Sequence, residues 1–255
     1  MDSRLHKVWA EGKGALNGWL SIPSTVTAEL LAMQDFDSLT VDLQHGLVDY
    51  QAALSLFQAV QGWGRTPIAR VPWNEPGIIM KLLDAGALGI ICPMINTAED
   101  AERFVGACLY HPEGYRSTGP TRAGLLYPDY FPNANKTIVT MAMIETVQAV
   151  GNVDAICATP GLTGIYVGPS DLAVSMGKSP GIDPTDPEVV ANIDKVLAAV
   201  KKAGLKIGIH CLAPSYSRRM VEKGFDFVTL GSDVRMIVAA ASGDVKAYRA
   251  LEAGR

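Results

Sequence analysis

Apolar positions along the chain fall into short runs rich in valine and isoleucine. These alternate with longer segments in which apolar residues recur at helical spacing. The short runs predict strands over 15–21, 38–43, 67–71, 89–94, 138–145, 164–167, 206–211 and 225–230. Between them the spacing predicts helices over 50–61, 77–84, 98–110, 147–158, 187–203 and 215–223, with a last helix over 233–252. Several strand runs are apolar on both faces, as a parallel sheet covered by helices requires. Eight βα units in 255 residues fit a (β/α)8 barrel better than an open doubly wound sheet. No Ser/Gly-rich linker interrupts the beat, so residues 1–255 are read as one domain. A dinucleotide fold wants GxGxxG after its first strand; LSIPST stands there instead, and no nucleotide cofactor is expected. The longest interruption, residues 110–136, is rich in Gly, Pro, Tyr and Arg and is expected to be a functional loop over the barrel mouth.

Composition narrows the classes. Apolar residues make up 48% of the chain, enough for a large core. A net charge of −4 and the lack of any long run of like charges leave no footprint for nucleic acid or a membrane surface. The opening MDSRLHKVWAEGKGALNGWL is broken by charges and glycines, unlike the apolar stretch of a signal peptide. No segment reaches the roughly 18 apolar residues of a membrane span. Cys92, Cys108, Cys157 and Cys211 show no CxxC spacing. They are read as reduced core cysteines of a cytoplasmic protein, with a zinc site or a thiol nucleophile as the competing readings.

On a barrel the chemistry sits at the C-terminal ends of the strands. The polar residues there are Asp42, Gln44 and His45 after the second strand, Arg70 at the third, and Glu145 at the fifth. Asp171 follows the sixth, His210 and Cys211 end the seventh, and Ser232 and Asp233 follow the eighth. Glu145 and Asp171 are the sharpest pair. Each alone reads equally as a helix cap or an ion-pair partner, but two carboxylates from consecutive strands converge, and like charges at one point call for a cation. Two carboxylates with water suit Mg2+ or Mn2+, and no histidine joins them as a zinc cage would ask. Arg70 offers a fixed positive fork for a carboxylate or a developing enolate oxygen, against a purely structural ion pair. His45 reads either as a satisfied histidine or, with Asp42 orienting its ring, as a general base. Asp84 reads as part of that network or as a solvated helix end. Lys206 opens its strand at the wrong end, and Lys81, Lys136, Lys201 and Lys202 lie on helices or approaches, so no Schiff-base lysine is expected.

The segments LTVDLQHG, IARVPWN, LLDAGALGIICPM, YHPEGYRSTGP, MIET and YVGPSDLAVSMG occur in the order found in one family. The chain resembles the HpcH/HpaI family of metal-dependent (class II) pyruvate aldolases, which includes 4-hydroxy-2-oxoheptanedioate aldolase and 2-dehydro-3-deoxyglucarate aldolase. The likeness runs from Ala15 to Arg235. It implies a divalent ion (Mg2+, Mn2+ or Co2+) on Glu145 and Asp171, and an enolate oxygen stabilised by Arg70. Proton transfer would be governed by His45, held by Asp42 and Asp84. Substrate would be bound by Gln44, Arg70, Met143, Gly168, Pro169, Ser170, Asp171 and Leu212. The partners implied are a small 2-oxo acid and an aldehyde, and the assembly a homo-oligomer, a hexamer built as a trimer of dimers with the last helix packed on a neighbour.

Two positions depart from the family pattern: Gln44 stands where an acid is common and Met143 where a glutamine is common. Both bear on donor and acceptor identity rather than on the metal. Arg116, Arg122 and Tyr127 in the long loop are read as contacts for the aldehyde or as solvated surface. The rival functions are an acyl-CoA lyase of the citrate lyase β type and a non-catalytic 2-oxo-acid-binding barrel.

Overall fold

The valine- and isoleucine-rich runs form eight parallel strands that close into a barrel, each hydrogen-bonded to its neighbours in sequence and the last to the first. A computed structural model describes residues 3–253. The chain opens with α1 (Arg4–Ala10), β1 (Ala15–Leu20), α2 (Thr25–Ala32), β2 (Ser38–Asp42), α3 (Tyr50–Gly62) and β3 (Thr66–Arg70). It continues through α4 (Pro76–Asp84), β4 (Gly89–Cys92), α5 (Ala98–Cys108), α6 (Thr121–Leu126), α7 (Tyr130–Thr137) and β5 (Val139–Ile144). Then follow α8 (Val147–Gly151), α9 (Val153–Cys157), β6 (Gly164–Val167), α10 (Pro169–Ser175) and α11 (Pro187–Lys202). The last elements are β7 (Lys206–Cys211), α12 (Pro214–Lys223), β8 (Phe227–Leu230) and α13 (Asp233–Ala253). Asn152 divides the helix expected over 147–158 into α8 and α9.

Successive side chains alternate across the sheet and build two cores. Leu39, Val41, Ile90, Ile144, Ile165 and Ile207 pack outward against the helices. Ile68, Ile91, Met141, Tyr166 and Phe227 fill the barrel. The N-terminal end of the barrel is stoppered by α1, an element the charges and glycines of that stretch concealed. Leu5 and Trp9 pack into the interior cluster, and the Trp9 indole N–H donates to the Asp226 carbonyl at 2.8 Å.

The long segment over 110–136 does not cover the mouth. It joins the end of α5 to the start of β5, and in a (β/α)8 barrel every helix-to-strand connection returns to the N-terminal face. The Arg116 side chain is fully buried there, ion-paired to Asp84 at 2.6 Å and bonded to the Tyr130 hydroxyl at 2.9 Å. Arg122 donates to the Ala85 carbonyl at 2.6 Å and to Gln61 at 2.7 Å, while the Tyr127 hydroxyl accepts from Gln61 at 3.2 Å. All three residues tie the connection to the end of α4 and to α3. Within the chain, topology keeps all three away from the mouth, and Arg116 is buried rather than solvated surface.

Candidate active site at the C-terminal mouth

Interior-facing residues at the strand ends project into the C-terminal mouth, where they line a cleft of about 290 Å³. Its walls include Trp19, Asp42, His45, Arg70, Met143, Gly168, Pro169, Ser170, Asp171, His210 and Arg235. Of the expected substrate contacts, Gln44 and Leu212 fall outside this lining. The Leu212 side chain is 38% exposed, because Asp183 clamps the N–H groups of Leu212 and Ala213 at 2.8 Å and turns the chain outward.

Asp42 and Arg70 are register partners on neighbouring strands, so their side chains leave the sheet side by side. The guanidinium meets the carboxylate through two bonds, Nε to Oδ1 at 2.8 Å and Nη2 to Oδ2 at 2.6 Å. Asp42 also accepts from the Trp19 indole at 3.1 Å and from the backbone N–H groups of Gln44 at 3.0 Å and His45 at 3.3 Å. The Trp19 ring lies 4.8 Å from the guanidinium carbon. Burial alone would raise the Asp42 carboxyl, but the bonds and charge of Arg70 outweigh it and hold the group below the ordinary carboxylate range. Asp42 therefore orients Arg70, and it reaches His45 only through the backbone. This corrects the reading of Asp42 as the group that orients the imidazole, and the reason is the register of β2 on β3. The His45 ring stands exposed on the bend after β2 with no hydrogen bond to any described residue. Asp84 lies on Arg116 at the opposite end of the barrel, so within the chain it does not join His45.

Glu145 follows β5 and continues its inward-facing parity. Its Oε1 accepts from the Met94 N–H at 2.8 Å. Met94 holds a left-handed backbone, φ 55°, which costs a residue with a side chain roughly 1–2 kcal/mol and aims that N–H at the carboxylate. The sequence offered no signal for this role. Burial pushes Glu145 up to about 7, and the charge of Asp171 pushes the same way against the Met94 bond. Asp171 lies exposed in the first turn of α10 and makes no hydrogen bond to a described residue. Gly168 precedes that helix, and a side chain there would collide: a Cβ would stand 2.6 Å from both Glu145 Oε2 and the Met143 methyl. Gly168→Ala is expected to displace Glu145 and lower turnover by at least about tenfold, the scale of a misplaced site residue. Steady-state kinetics alongside circular dichroism would check it.

Two hard, anionic oxygen donors, one raised by burial and by its neighbour and the other partnerless, are the chemistry that a divalent cation with retained water requires. The residues present fit such an ion. The four thiols are buried and free, and burial pushes Cys157 up to about 11 and Cys211 up to about 12, far from a ready nucleophile. Lys206 sits at the start of β7 beside Asp226 and Trp9, away from the mouth.

Trp19, His210 and Arg235 were not among the residues nominated from the sequence. His210 was noted only as a strand end, although its inward parity with Gly208 on β7 was a signal that could have been used.

The profile of the HpcH/HpaI aldolase/citrate lyase family matches residues 18–240. The hydroxypyruvate/pyruvate aldolase of Rhizorhabdus wittichii is 41% identical over 250 residues, covering 98% of this chain and 100% of that protein. The 5-keto-4-deoxy-D-glucarate aldolase of Citrobacter koseri is 36% identical over 234 residues, covering 91% and 90%. The crystal structure of an HpcH/HpaI aldolase/citrate lyase family protein from Burkholderia cenocepacia J2315 superposes with a TM-score of 0.87 at 31% identity, covering 93% of this chain and 95% of that one. A closed (β/α)8 barrel, strand-end carboxylates facing a small cleft, and these matches over nearly the whole length place the chain in the HpcH/HpaI aldolase/citrate lyase family.

Proposed function

We propose that the chain is a divalent-metal-dependent aldolase that cleaves 4-hydroxy-2-oxo acids to pyruvate or hydroxypyruvate and an aldehyde, and runs the reverse addition. The observation that carries this reading is that Arg70, locked by Asp42, lines one small cleft with Asp171, while the Glu145 carboxylate lies buried directly behind Gly168 in the wall of that cleft. The donor class is supported by the relative named hydroxypyruvate/pyruvate aldolase.

Each group then has a task. With two of its N–H groups committed to Asp42, Arg70 is held rigid, and its remaining donors face the cleft to stabilise charge developing on a keto oxygen. Ser170 and Asp171 open α10 without a side-chain cap from Gly168, and their backbone N–H groups suit a substrate carboxylate. Met143, Pro169 and Trp19 supply apolar walls that exclude water from the reacting carbons. His45, exposed on the bend at the rim, is the group to move a proton to and from the carbon beside the keto group. A divalent ion held by Glu145 and Asp171 would supply Lewis-acid polarisation of the 2-oxo acid.

The apolar side chains along α13 support a homo-oligomer in which this helix packs on a neighbouring subunit, as in a hexamer. Val234, Ile237, Val238, Val245, Tyr248 and Leu251 are all more than 40% exposed in the single chain. Four free buried thiols suit the reducing cytoplasm. No helix among the described residues is long and apolar enough to cross a membrane.

Pyruvate release from 4-hydroxy-2-oxo acids is expected to stop in EDTA and to return with Mg2+, Mn2+ or Co2+. Turnover indifferent to the chelator would remove the metal from the mechanism. Pyruvate binding without turnover of any aldol would favour a sensor.

A further inference from the structure

The barrel interior carries a band of polar residues where branched apolar side chains are usual. Asn17, Ser38, Thr40, Tyr166 and Thr229 are all fully buried. Ser38, Asn17, Thr229 and His210 are successive register partners across β2, β1, β8 and β7, so they form one layer. Tyr166 enters this layer over Gly208, where a Cβ would stand 2.8 Å from the tyrosine ring. Buried polar groups are costly unless bonded, and these are joined end to end.

The bonds have a direction. Ser38 and Thr40 donate to Asn17 Oδ1 at 2.8 and 3.1 Å, which turns the amide nitrogen toward Thr229, to which it donates at 3.1 Å. The Thr229 proton then has one oxygen partner among the described residues, the Tyr166 hydroxyl at 2.6 Å. The Tyr166 hydroxyl, accepting from Thr229, is left to donate to His210 Nδ1 at 3.0 Å. An imidazole that accepts at Nδ1 carries its proton on Nε2 when neutral. Neutrality is secured by burial, which with the positive charges of Arg70 and Arg235 outweighs Asp42 and brings His210 down to about 4. Nε2 has no partner among the described residues, and the ring lines the cleft, edge-on to Trp19 at 4.8 Å.

We propose that His210 is a specificity residue for the 2-oxo acid: a neutral Nε2–H donor, locked by the Asn17–Thr229–Tyr166 chain, that reads a hydroxyl on the carbon next to the keto group and so favours hydroxypyruvate over pyruvate. The inference rests on the aldolase reading. Arg70 and the α10 amides suit the keto and carboxylate oxygens of a 2-oxo acid, which leaves the oxygen on the third carbon to be met. A methyl group in that place leaves the fixed N–H without an acceptor, and sites built around a substrate hydroxyl discriminate against analogues that lack it.

The test compares kcat/KM for hydroxypyruvate and for pyruvate with glycolaldehyde as common acceptor and Mg2+ present. His210→Leu is expected to lower the hydroxypyruvate-to-pyruvate ratio about tenfold, the worth of one hydrogen bond. His210→Gln, which keeps an N–H donor, should restore most of the ratio, and Tyr166→Phe should lower it by freeing the tautomer. Nitrogen-15 NMR of histidine-labelled protein should show His210 neutral between pH 6 and 8 with its proton on Nε2, and should lose that uniformity in Tyr166→Phe. A ratio unchanged in His210→Leu, or a wild-type ring protonated on Nδ1, overturns the proposal. If no aldol turnover is seen with either donor, the aldolase reading fails by itself. The proposal is then judged by the two donors' dissociation constants, whose ratio must shift the same way, and by the tautomer.

Discussion

Glu145→Gln is expected to abolish aldol turnover and, in the metal-free protein at pH 8, to raise stability. Burial brings the Glu145 carboxyl to about 7 from an ordinary 4.5, so the folded chain holds this proton more tightly than the unfolded chain. Its contribution to stability is therefore full below the unfolded value and is lost as pH rises through about 7. At pH 8 the ionised side chain costs the metal-free fold about 3 kcal/mol, at 1.36 kcal/mol for each unit. Glutamine removes that charge, and its carbonyl still accepts the Met94 N–H that Glu145 takes at 2.8 Å. Thermal unfolding in EDTA should show Tm higher by about 5–10 °C at pH 8 and little changed near pH 4.5, as a gain of this size implies for a chain of this length. Equal Tm changes at both pH values would mean that the carboxylate is not strained by burial. Gain of stability with loss of activity is what a group kept for its chemistry should show.

Arg70→Lys is expected to cut turnover by about a hundredfold or more while the protein still folds, because an ammonium keeps the charge but not the planar fork. Arg70→Ala is a harsher change. It leaves Asp42, which is 2% exposed, in the interior with only the indole and two backbone N–H groups, and breaking a buried pair from one side costs about 3–5 kcal/mol. Loss of turnover in the alanine variant therefore has to be read beside its unfolding curve, and the lysine variant separates chemistry from stability. The two-bond pair with Asp42 is what makes the alanine variant a change to the fold as well as to the chemistry. Since Asp42 is held below the ordinary carboxylate range, the pair's contribution persists at neutral pH and is lost only as pH falls through the depressed value. Lysine-variant rates close to wild type would exclude Arg70 as the group that stabilises the oxyanion.

Much of the barrel was legible because burial on both faces leaves a local mark. Strands covered on both faces are largely apolar, and the runs over 164–167 and 206–211 coincide with β6 and β7 residue for residue. The strand-end rule likewise pointed to Arg70, Glu145 and Asp171, since a charged residue closing an apolar run has few places to go except the mouth. What each of these meets was not legible.

Sequence by itself determined the eightfold alternation, the parallel sheet and the acids and arginine at the strand ends, because those follow from periodicity within a few residues. Only the closed barrel decided that Asp42 holds Arg70 rather than the His45 ring, and that Asp84 and Arg116 meet at the far end. It alone decided that α1 stoppers the interior and that a chain of polar side chains from four strands ends on His210. These are contacts between residues far apart in the chain. Which of them form is fixed by register and by which end of the barrel a connection returns to, and neither leaves a trace in local hydrophobic pattern.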